Sequence, residues 1–143
     1  MIFIDKEGKW FHKGAEMIHK GIIKEFYKDL SITDSGEYII SRGPEKCFVE
    51  VEDTPFIITR AEFNEIEGQF LIYLTDDTIE KLDPETLEVG NKNVIYCRIK
   101  DKKFQARFSR AAYYQLAEHI KEEGDKYYLP LNDLKFYLDI SLS

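Results

Sequence analysis

The stretch SGEYIISRGPEKCFVEVED, from Ser35 to Asp53, decides the fold prediction because it places two strands on either side of a break. Tyr38–Arg42 and Lys46–Asp53 have strand composition, and Gly43–Pro44 separates them, since proline donates no backbone hydrogen bond. The later stretch EGDKYYLPLNDLKFYLDI, residues 123–140, shows the same order of turn, strand, break and strand. The two stretches together indicate an internal repeat.

The elements that precede the two stretches also occur in one order, a hairpin followed by an amphipathic helix. The predicted hairpins are Ile2–Ile4 with Lys9–His12 and Val94–Lys100 with Lys103–Phe108, and the predicted helices are Met17–Leu30 and Arg110–Glu122. We therefore predict an α+β protein with two similar halves, 1–78 and 79–143, each a small antiparallel sheet with one helix. Two unrelated α+β segments would produce the same order of elements, and this alternative stays open.

Composition narrows the classes of partner. The chain has 143 residues, of which 43% are apolar, and a formal net charge of −7, which opposes docking on duplex nucleic acid or an anionic membrane. Cys47 and Cys97 are fifty positions apart, so neither a disulfide framework nor a zinc site is expected. The first apolar run ends at Asp5, too early for a signal peptide, and no run approaches the ~20 residues of a membrane span. We expect a cytoplasmic protein without a cofactor.

The strand Lys46–Asp53 carries a dense group of carboxylates. Because side chains alternate across a strand, Glu50 and Glu52 share a face with Phe48, opposite the valines. Neighbouring carboxylates can act as a base or bind a hard cation, so a hydrolase or transferase that uses Glu50, Glu52 and Asp53 is one hypothesis. A solvated strand face is the favoured interpretation, since Glu and Asp are mostly exposed.

Charge is unevenly distributed along the chain. Residues 44–90 contain thirteen acids and three bases, a net of −10, whereas residues 92–110 contain seven bases and one acid, a net of +6. An acidic chain with one basic hairpin permits two interpretations. The hairpin binds an anion, or it simply packs beside the acidic segment or stays solvated, and the second interpretation is favoured because charged strand faces cost little.

The alternation of polar and apolar residues predicts the register of the basic hairpin. With Asp101 and Lys102 as the loop, the pairs on one face are Lys100 with Lys103, Arg98 with Gln105 and Tyr96 with Arg107, and the pairs on the other face are Ile99 with Phe104, Cys97 with Ala106 and Ile95 with Phe108. The first set is polar and the second apolar. We therefore expect the hairpin to have one basic face exposed to solvent and one apolar face buried in the core.

This outer face is a candidate anion site. Arg98 and Arg107 can hold a phosphate or carboxylate through their guanidinium forks, and Tyr96 can stack on a ring. Arg110 opens the second helix, where free backbone N–H groups favour an anion. No phosphate-binding glycine loop, nucleophile elbow or paired-histidine metal motif occurs in the sequence.

Three stretches carry a resemblance to a known family: GKWFHKGAEM (residues 8–17), GEYIISRGPEKCFVEVEDTPF (36–56) and RFSRAAYYQLAE (107–118). In this order they resemble the bacterial family called Domain of Unknown Function 1285. The similarity extends over nearly the whole chain. Lys102 stands where the family pattern has the glycine of an Asp-Gly turn, so a tight hairpin here would force a lysine to positive φ.

The resemblance implies a two-part α+β protein whose second half is loosely like a pleckstrin-homology fold. It also implies a site for a nucleotide-like molecule at the interface of the halves and a role in signalling, without an established reaction. By position it singles out Trp10, Gly14, Glu45, Lys46, Glu50, Glu52, Asp53, Pro55, Phe56, Arg110 and Tyr114.

These interpretations lead to one favoured hypothesis and two rivals. The favoured hypothesis is a non-enzymatic protein that binds a small anionic ligand at the interface of its halves. Its site residues are Trp10, Glu45, Lys46, Tyr96, Arg98, Arg107, Arg110 and Tyr114, with no catalytic or metal-binding residue assigned. The rivals are the carboxylate enzyme described above and a protein-interaction module that uses a sheet edge or the acidic face.

Overall fold

The structure is a computed structural model, and it describes residues 1–140. Within that range the protein is α+β, with two α-helices, two six-stranded sheets and one three-stranded sheet. The predicted fold class is therefore confirmed. The contacts divide the chain into two compact units, Met1–Pro55 (unit 1) and Phe56–Ser143 (unit 2). The halves 1–78 and 79–143, inferred from the order of elements, stay a prediction.

Unit 1 contains one mixed sheet and one helix. Its elements are β1 Ile2–Ile4, β2 Trp10–His12, β3 Ala15–Glu16, α1 Lys20–Lys28, β4 Leu30–Ile32, β5 Tyr38–Arg42 and β6 Glu45–Val51. The strands lie in the order β3-β2-β1-β6-β5-β4. Only the β1–β6 pair of this sheet is parallel.

The turn between β1 and β2 is closed by side chains at both ends. The Asp5 carboxylate accepts the Lys9 N–H at 2.9 Å, and Gly8 takes φ 85, a left-handed conformation that glycine adopts without steric cost. Glu52 Oε1 accepts the Lys6 N–H at 2.8 Å. The chain that follows β6 is thereby tied to the first hairpin.

Helix α1 is shorter than the periodicity of its apolar residues predicts. It begins at Lys20 because His19 is the N-cap, with its Nδ1 accepting the Ile22 N–H at 3.2 Å. Ile18 therefore lies before the helix and is 83% exposed. Tyr27 is the residue of α1 that becomes buried.

The core of unit 1 lies between α1 and one face of the sheet. The Trp10 and Tyr27 rings meet edge to face, with centroids 4.8 Å apart. Along β6, Val49 is buried, whereas Phe48 and Glu50 point away from the core and are exposed. The alternation predicted for this strand is confirmed, and its carboxylates lie on the outer face.

Unit 2 contains a six-stranded mixed sheet, one helix and a separate three-stranded sheet. Its elements are β7 Phe56–Asn64, β8 Gln69–Leu74, β9 Ile79–Lys81, β10 Glu88–Val89, β11 Ile95–Ile99, β12 Phe104–Phe108, α2 Arg110–Ala117, β13 Lys121–Glu123, β14 Lys126–Leu131 and β15 Leu134–Leu138, with 3-10 turns at Pro84–Thr86 and Asn91–Asn93. The larger sheet has the order β10-β11-β12-β7-β8-β9 with β12 and β7 parallel. The smaller sheet is the meander β13-β14-β15.

Helix α2 packs against the larger sheet of unit 2. Ala112 and Leu116 are fully buried, and the Gln115 side chain accepts the Ala61 N–H of β7 at 2.8 Å. Ser109 caps the helix by accepting the Ala112 N–H. The helix ends before the predicted Glu122, because residues 121–123 pair with β14 instead.

Four of the six pairs predicted for the basic hairpin are confirmed, from Tyr96 with Arg107 to Ile99 with Phe104. Tyr96 lies opposite Arg107, and Arg98 lies opposite Gln105. The ladder ends one residue earlier than predicted, because Lys100 and Lys103 do not form a strand pair but close the turn through the Lys103 N–H and the Lys100 carbonyl, 3.2 Å apart.

Three consecutive residues of this turn have positive φ: 54° at Lys100, 57° at Asp101 and 67° at Lys102. The left-handed conformation expected for Lys102 is therefore present. Because such residues carry a Cβ, the turn holds backbone strain that its surroundings must offset.

The repeated order of elements appears in both units. In each unit a hairpin is followed by one helix and a three-stranded antiparallel meander, β4-β5-β6 after α1 and β13-β14-β15 after α2. The copies differ in pairing, since β6 joins the first hairpin's sheet while the second meander forms a sheet of its own. Within residues 1–140, no helix is both long and apolar enough to cross a membrane.

Candidate functional site

The outer face of the β11–β12 hairpin carries the predicted cations. Arg98 is exposed, Tyr96 and Arg107 are half-buried, and the alternate residues Ile95, Cys97 and Ile99 are buried beneath them. The alternation that separates the two faces is therefore realised in the folded sheet. It presents Arg98 to solvent on a rigid strand.

A groove adjoins Arg98, and we call it the Arg98 groove. Its volume is about 330 Å³, and its lining residues are Glu80, Lys81, Asp83, Arg98, Ile99, Asp101 and Lys102. Three cations and three carboxylates line it, with Ile99 as the apolar residue. The groove is thus polar and balanced in charge rather than uniformly basic.

The groove forms because the hairpin turn approaches the edge strand β9. The Lys100 N–H donates to Glu80 Oε1 at 3.1 Å, and the Lys100 ammonium donates to Thr78 Oγ1 at 2.9 Å and to Asp76 Oδ2 at 2.8 Å. The ammonium also lies 5.5 Å from the centre of the Phe56 ring. Lys100 is therefore an anchor for the strained turn, not part of an exposed basic face.

Two titratable groups near this turn have perturbed pKa values. Burial tends to raise the pKa of Asp76, but the hydrogen bonds from Lys100 and Thr78 outweigh it and lower the pKa from its usual 3.8. Burial raises the pKa of Cys97 to about 12, with further contributions from the nearby Glu80 and Asp83 carboxylates. The Cys97 thiol is thus held protonated and inert.

The cations of the groove differ in how they are paired. The Lys81 ammonium lies 3.2 Å from Glu67 Oε2, and the Lys102 ammonium lies 4.0 Å from Asp83 Oδ2. Within the described residues, the Arg98 guanidinium makes neither a hydrogen bond nor an ion pair. Only its backbone N–H is used, donating to Thr86 Oγ1 at 2.9 Å. Arg98 is the groove cation whose charged group is available to a ligand.

The structure brings a second predicted pair together on α2. The Arg110 guanidinium donates to the Tyr114 hydroxyl at 3.3 Å, and Tyr114 is 55% exposed. The two residues are one helical turn apart, so their proximity follows from helix geometry. No hydrogen bond of the described residues connects this pair with Arg98.

The remaining predicted site residues belong to unit 1. Trp10 is 1% exposed and packs against Tyr27, so in this structure its ring is a packing element and offers no free face to a ligand. Glu45 and Lys46 are exposed at the start of β6, opposite Arg42 and Ser41. The eight predicted residues are thus divided, with three in unit 1 and five in unit 2.

The carboxylates of the rival enzyme hypothesis occupy ordinary positions. Glu50 is exposed on β6, and Glu52 Oε1 accepts a hydrogen bond from the Lys6 N–H. Within residues 1–140 no group of three or more His, Cys, Asp or Glu side chains is arranged to hold a metal ion.

Sequence reasoning missed the acidic side of the groove. Asp101 lies in the hairpin turn itself, but no local pattern places Glu80 of β9 and the following Asp83 beside Arg98, because β9 and β11 occupy distant positions in the sheet order. The uneven charge of the chain was the available signal. It predicted that acidic residues could pack beside the basic hairpin, and the contacts of Lys100 with Asp76 and of Lys102 with Asp83 are of that kind.

Two solved structures match this fold. A crystal structure of a DUF1285 family protein from Shewanella baltica OS155 matches with a TM-score of 0.68 and 22% identity, over 82% of this chain and 90% of that chain. A DUF1285 family protein from Silicibacter pomeroyi DSS-3 matches with a TM-score of 0.79 and 16% identity, over 96% of this chain and 78% of that chain. The chain has the fold of DUF1285 family proteins. The predicted resemblance is confirmed at the level of the fold.

No family model matches the chain, and no curated protein matches it. The DUF1285 likeness therefore identifies an architecture and leaves the function to be argued from the site itself.

Proposed function

We propose that this protein binds a small anionic molecule in the Arg98 groove, without transforming it. The observation that carries the proposal is the exposed Arg98 guanidinium, which has no hydrogen bond or ion pair within the described residues. A guanidinium can hold a phosphate or carboxylate through two parallel hydrogen bonds. Strand β11 fixes its position.

The dimensions of the groove support a small ligand. Its volume of about 330 Å³ lies at the lower end of the range for small-molecule sites, roughly 300–1,000 Å³. Ile99 supplies an apolar contact, and the Lys100 anchor holds the turn that carries Asp101 and Lys102. The wall of the groove is thus held by the rest of unit 2.

The mixture of positive and negative residues that line the groove limits the classes of ligand that can bind there. Glu80, Asp83 and Asp101 would repel a compact polyanion, but they can accept hydrogen bonds from hydroxyl or amino groups. The fitting ligand carries one phosphate or carboxylate beside several hydrogen-bond donors, as a nucleotide-like molecule does. Among the residues that the structure describes, no serine, cysteine or histidine lines the groove, so we assign it binding rather than nucleophilic chemistry. A sensory role in signalling would use this binding step.

Thermal denaturation with a ligand panel tests the proposal. The panel contains inorganic phosphate, a nucleoside monophosphate, the matching uncharged nucleoside and a small hydroxycarboxylate. A ligand at about 100 times its Kd stabilises the folded state by about 2.7 kcal/mol. We expect the monophosphate to stabilise the protein and the uncharged nucleoside to have little effect.

Variants of Arg98 test whether the stabilisation by the ligand depends on its guanidinium. We expect Arg98→Ala to abolish the stabilisation, and Arg98→Lys to keep part of it, because lysine retains the charge but not the fork. Lys103→Ala is the matched control, since Lys103 is exposed in the same turn and does not line the groove. The proposal is wrong if no member of the panel stabilises the protein, or if Arg98→Ala binds as the unmodified chain does.

A further inference from the structure

An oblique row of apolar side chains crosses the outer face of the unit 1 sheet. Four neighbouring strands contribute one residue each: Phe11 from β2, Phe3 from β1, Phe48 from β6 and Ile39 from β5. We call these four residues the apolar row. They lie on the face opposite to the buried Trp10, Ile4, Val49 and Ile40.

The strand register makes the row continuous. Phe3 pairs with Phe11, and their ring centroids are 6.0 Å apart. Phe48 pairs with Ile39. Phe3 lies opposite Glu50, so Phe48, two residues before Glu50, is its diagonal neighbour at roughly 7–8 Å. The row crosses three inter-strand gaps of about 4.8 Å each, which is about 14 Å measured perpendicular to the strands.

The fold does not need apolar residues at these positions. Phe48 is 53% exposed in the middle of a seven-residue strand. A polar residue would be compatible with a solvent-exposed strand face at this position. Single exposed apolar residues are ordinary, and Ile66, 98% exposed in the turn after β7, is an example. The row is different, because the exposed Phe48 is continued by the half-buried Phe3, Phe11 and Ile39, and contiguous apolar surface marks sites of interaction.

Charges beside the row indicate what kind of partner fits. Glu16 lies opposite Phe11, and Glu50 lies opposite Phe3. Neither carboxylate makes a hydrogen bond or an ion pair through its side chain within the described residues. Lys46, opposite Ser41, is a basic residue of the same face, and along β6 it is as near to Phe48 as Glu50 is. The two unpaired carboxylates outnumber this lysine beside the apolar row, which favours a partner with basic side chains.

A second copy of this chain fits the face less well. A two-fold contact through the row would bring Glu16 and Glu50 of each copy into one small patch with the same residues of the other copy, which like-charge repulsion opposes. We therefore propose that the apolar row docks a segment of a partner protein that carries apolar anchors and flanking Lys or Arg side chains. This surface lies wholly in unit 1 and does not depend on ligand binding at Arg98.

The experiment uses two synthetic peptides of equal length as probes, one of leucine and lysine and one of leucine and glutamate. Binding to the full chain is measured by titration calorimetry at two salt concentrations. We expect the lysine peptide to bind and the glutamate peptide not to bind. Added salt should weaken the binding, because the carboxylates beside the row contribute part of the attraction.

Matched variants locate the binding. Phe48→Ser should weaken binding of the lysine peptide about tenfold, as the loss of an interface anchor does, and Glu50→Lys should weaken it roughly threefold and reduce its salt dependence. The controls are Ile66→Ser and Glu65→Lys, which alter one exposed apolar residue and one exposed carboxylate in the turn after β7. Both controls should bind as the unmodified chain does.

Three outcomes would overturn the proposal. In the first, Phe48→Ser and Glu50→Lys bind the lysine peptide no more weakly than their controls. In the second, size-exclusion chromatography shows a dimer that Phe48→Ser abolishes, so that the occupant is a second copy. In the third, Phe48→Ser lowers the melting temperature by more than about 3 °C, so that the chain itself covers Phe48.

Discussion

The Lys100 ammonium lies 2.8 Å from Asp76 Oδ2, and this contact joins the turn after β11 to the turn after β8. The two side chains are 28% and 11% exposed, so water screens the pair less than it screens a surface ion pair. The pair holds Lys100, the first of the three consecutive residues of this turn that have positive φ. It therefore supports the wall of the Arg98 groove and provides a first prediction.

We expect the stability of the protein to depend on pH through Asp76. The hydrogen bonds from Lys100 and Thr78 outweigh burial and lower the pKa of this carboxyl in the folded state, below its usual 3.8. Its contribution is therefore fully present above the unfolded pKa and disappears as the pH falls through the folded pKa. Asp76→Asn should cost about 1–3 kcal/mol near neutral pH. Urea unfolding at several pH values should show this difference shrinking below about pH 4, and a constant difference would contradict the assignment.

Lys102→Gly should stabilise the protein. Lys102 has φ 67°, a conformation that glycine adopts without the Cβ penalty. Its ion pair with Asp83, at 4.0 Å and largely exposed, contributes little that would be lost. We expect a gain of about 0.5–1 kcal/mol in urea unfolding. Lys103→Gly is the control and should destabilise, because Lys103 does not have positive φ.

Tyr27→Phe should destabilise unit 1. The buried Tyr27 hydroxyl donates to the Pro55 carbonyl at 2.9 Å, and its removal leaves that carbonyl with one donor fewer. We expect a loss of about 1–2 kcal/mol. Trp10 is the only tryptophan of the chain and its ring contacts Tyr27, so tryptophan fluorescence reports the unfolding of this unit. Tyr114→Phe, which changes an exposed hydroxyl in unit 2, should leave this transition unchanged.

The two thiols should differ in reactivity. Burial, reinforced by Glu80 and Asp83, raises the pKa of Cys97 to about 12, whereas Cys47 is half-buried. Because the thiolate is the reactive form, an alkylating reagent at about pH 8 should modify one thiol of the folded chain and both thiols after unfolding. Mass spectrometry counts the additions. The folded Cys47→Ser variant should not be modified by the alkylating reagent. An addition to this variant would show that Cys97 is accessible.

Local patterns predicted much of the fold. The alternation of apolar and polar residues was sufficient for the register of Cys97 opposite Ala106, because a slip of one residue would expose the apolar set to water. The Gly43–Pro44 break falls between β5 and β6 as predicted, because proline donates no backbone hydrogen bond. These features depend on neighbours in the chain or on one adjacent strand.

Helix α1 shows where the local pattern is insufficient. Its period of four predicts that Ile18 and Ile22 share a buried face, yet Ile18 is 83% and Ile22 44% exposed. The His19 cap starts the helix after Ile18, and the sheet beneath it accommodates Tyr27. Periodicity identifies the apolar side of a helix, but the partner surface determines how much of that side is covered.

By itself the sequence determined the α+β class, the hairpin register and the outward direction of Arg98, since these follow from backbone geometry and from the short-range alternation of side chains. Only the tertiary structure decided that Lys100 turns to Asp76 while Arg98 is left without a partner among the described residues. It also decided that Glu80 and Asp83 join Arg98 in one groove. The physical reason is that charged residues far apart in the sequence form pairs only where the strands associate and curve to bring them together. No local pattern encodes that association.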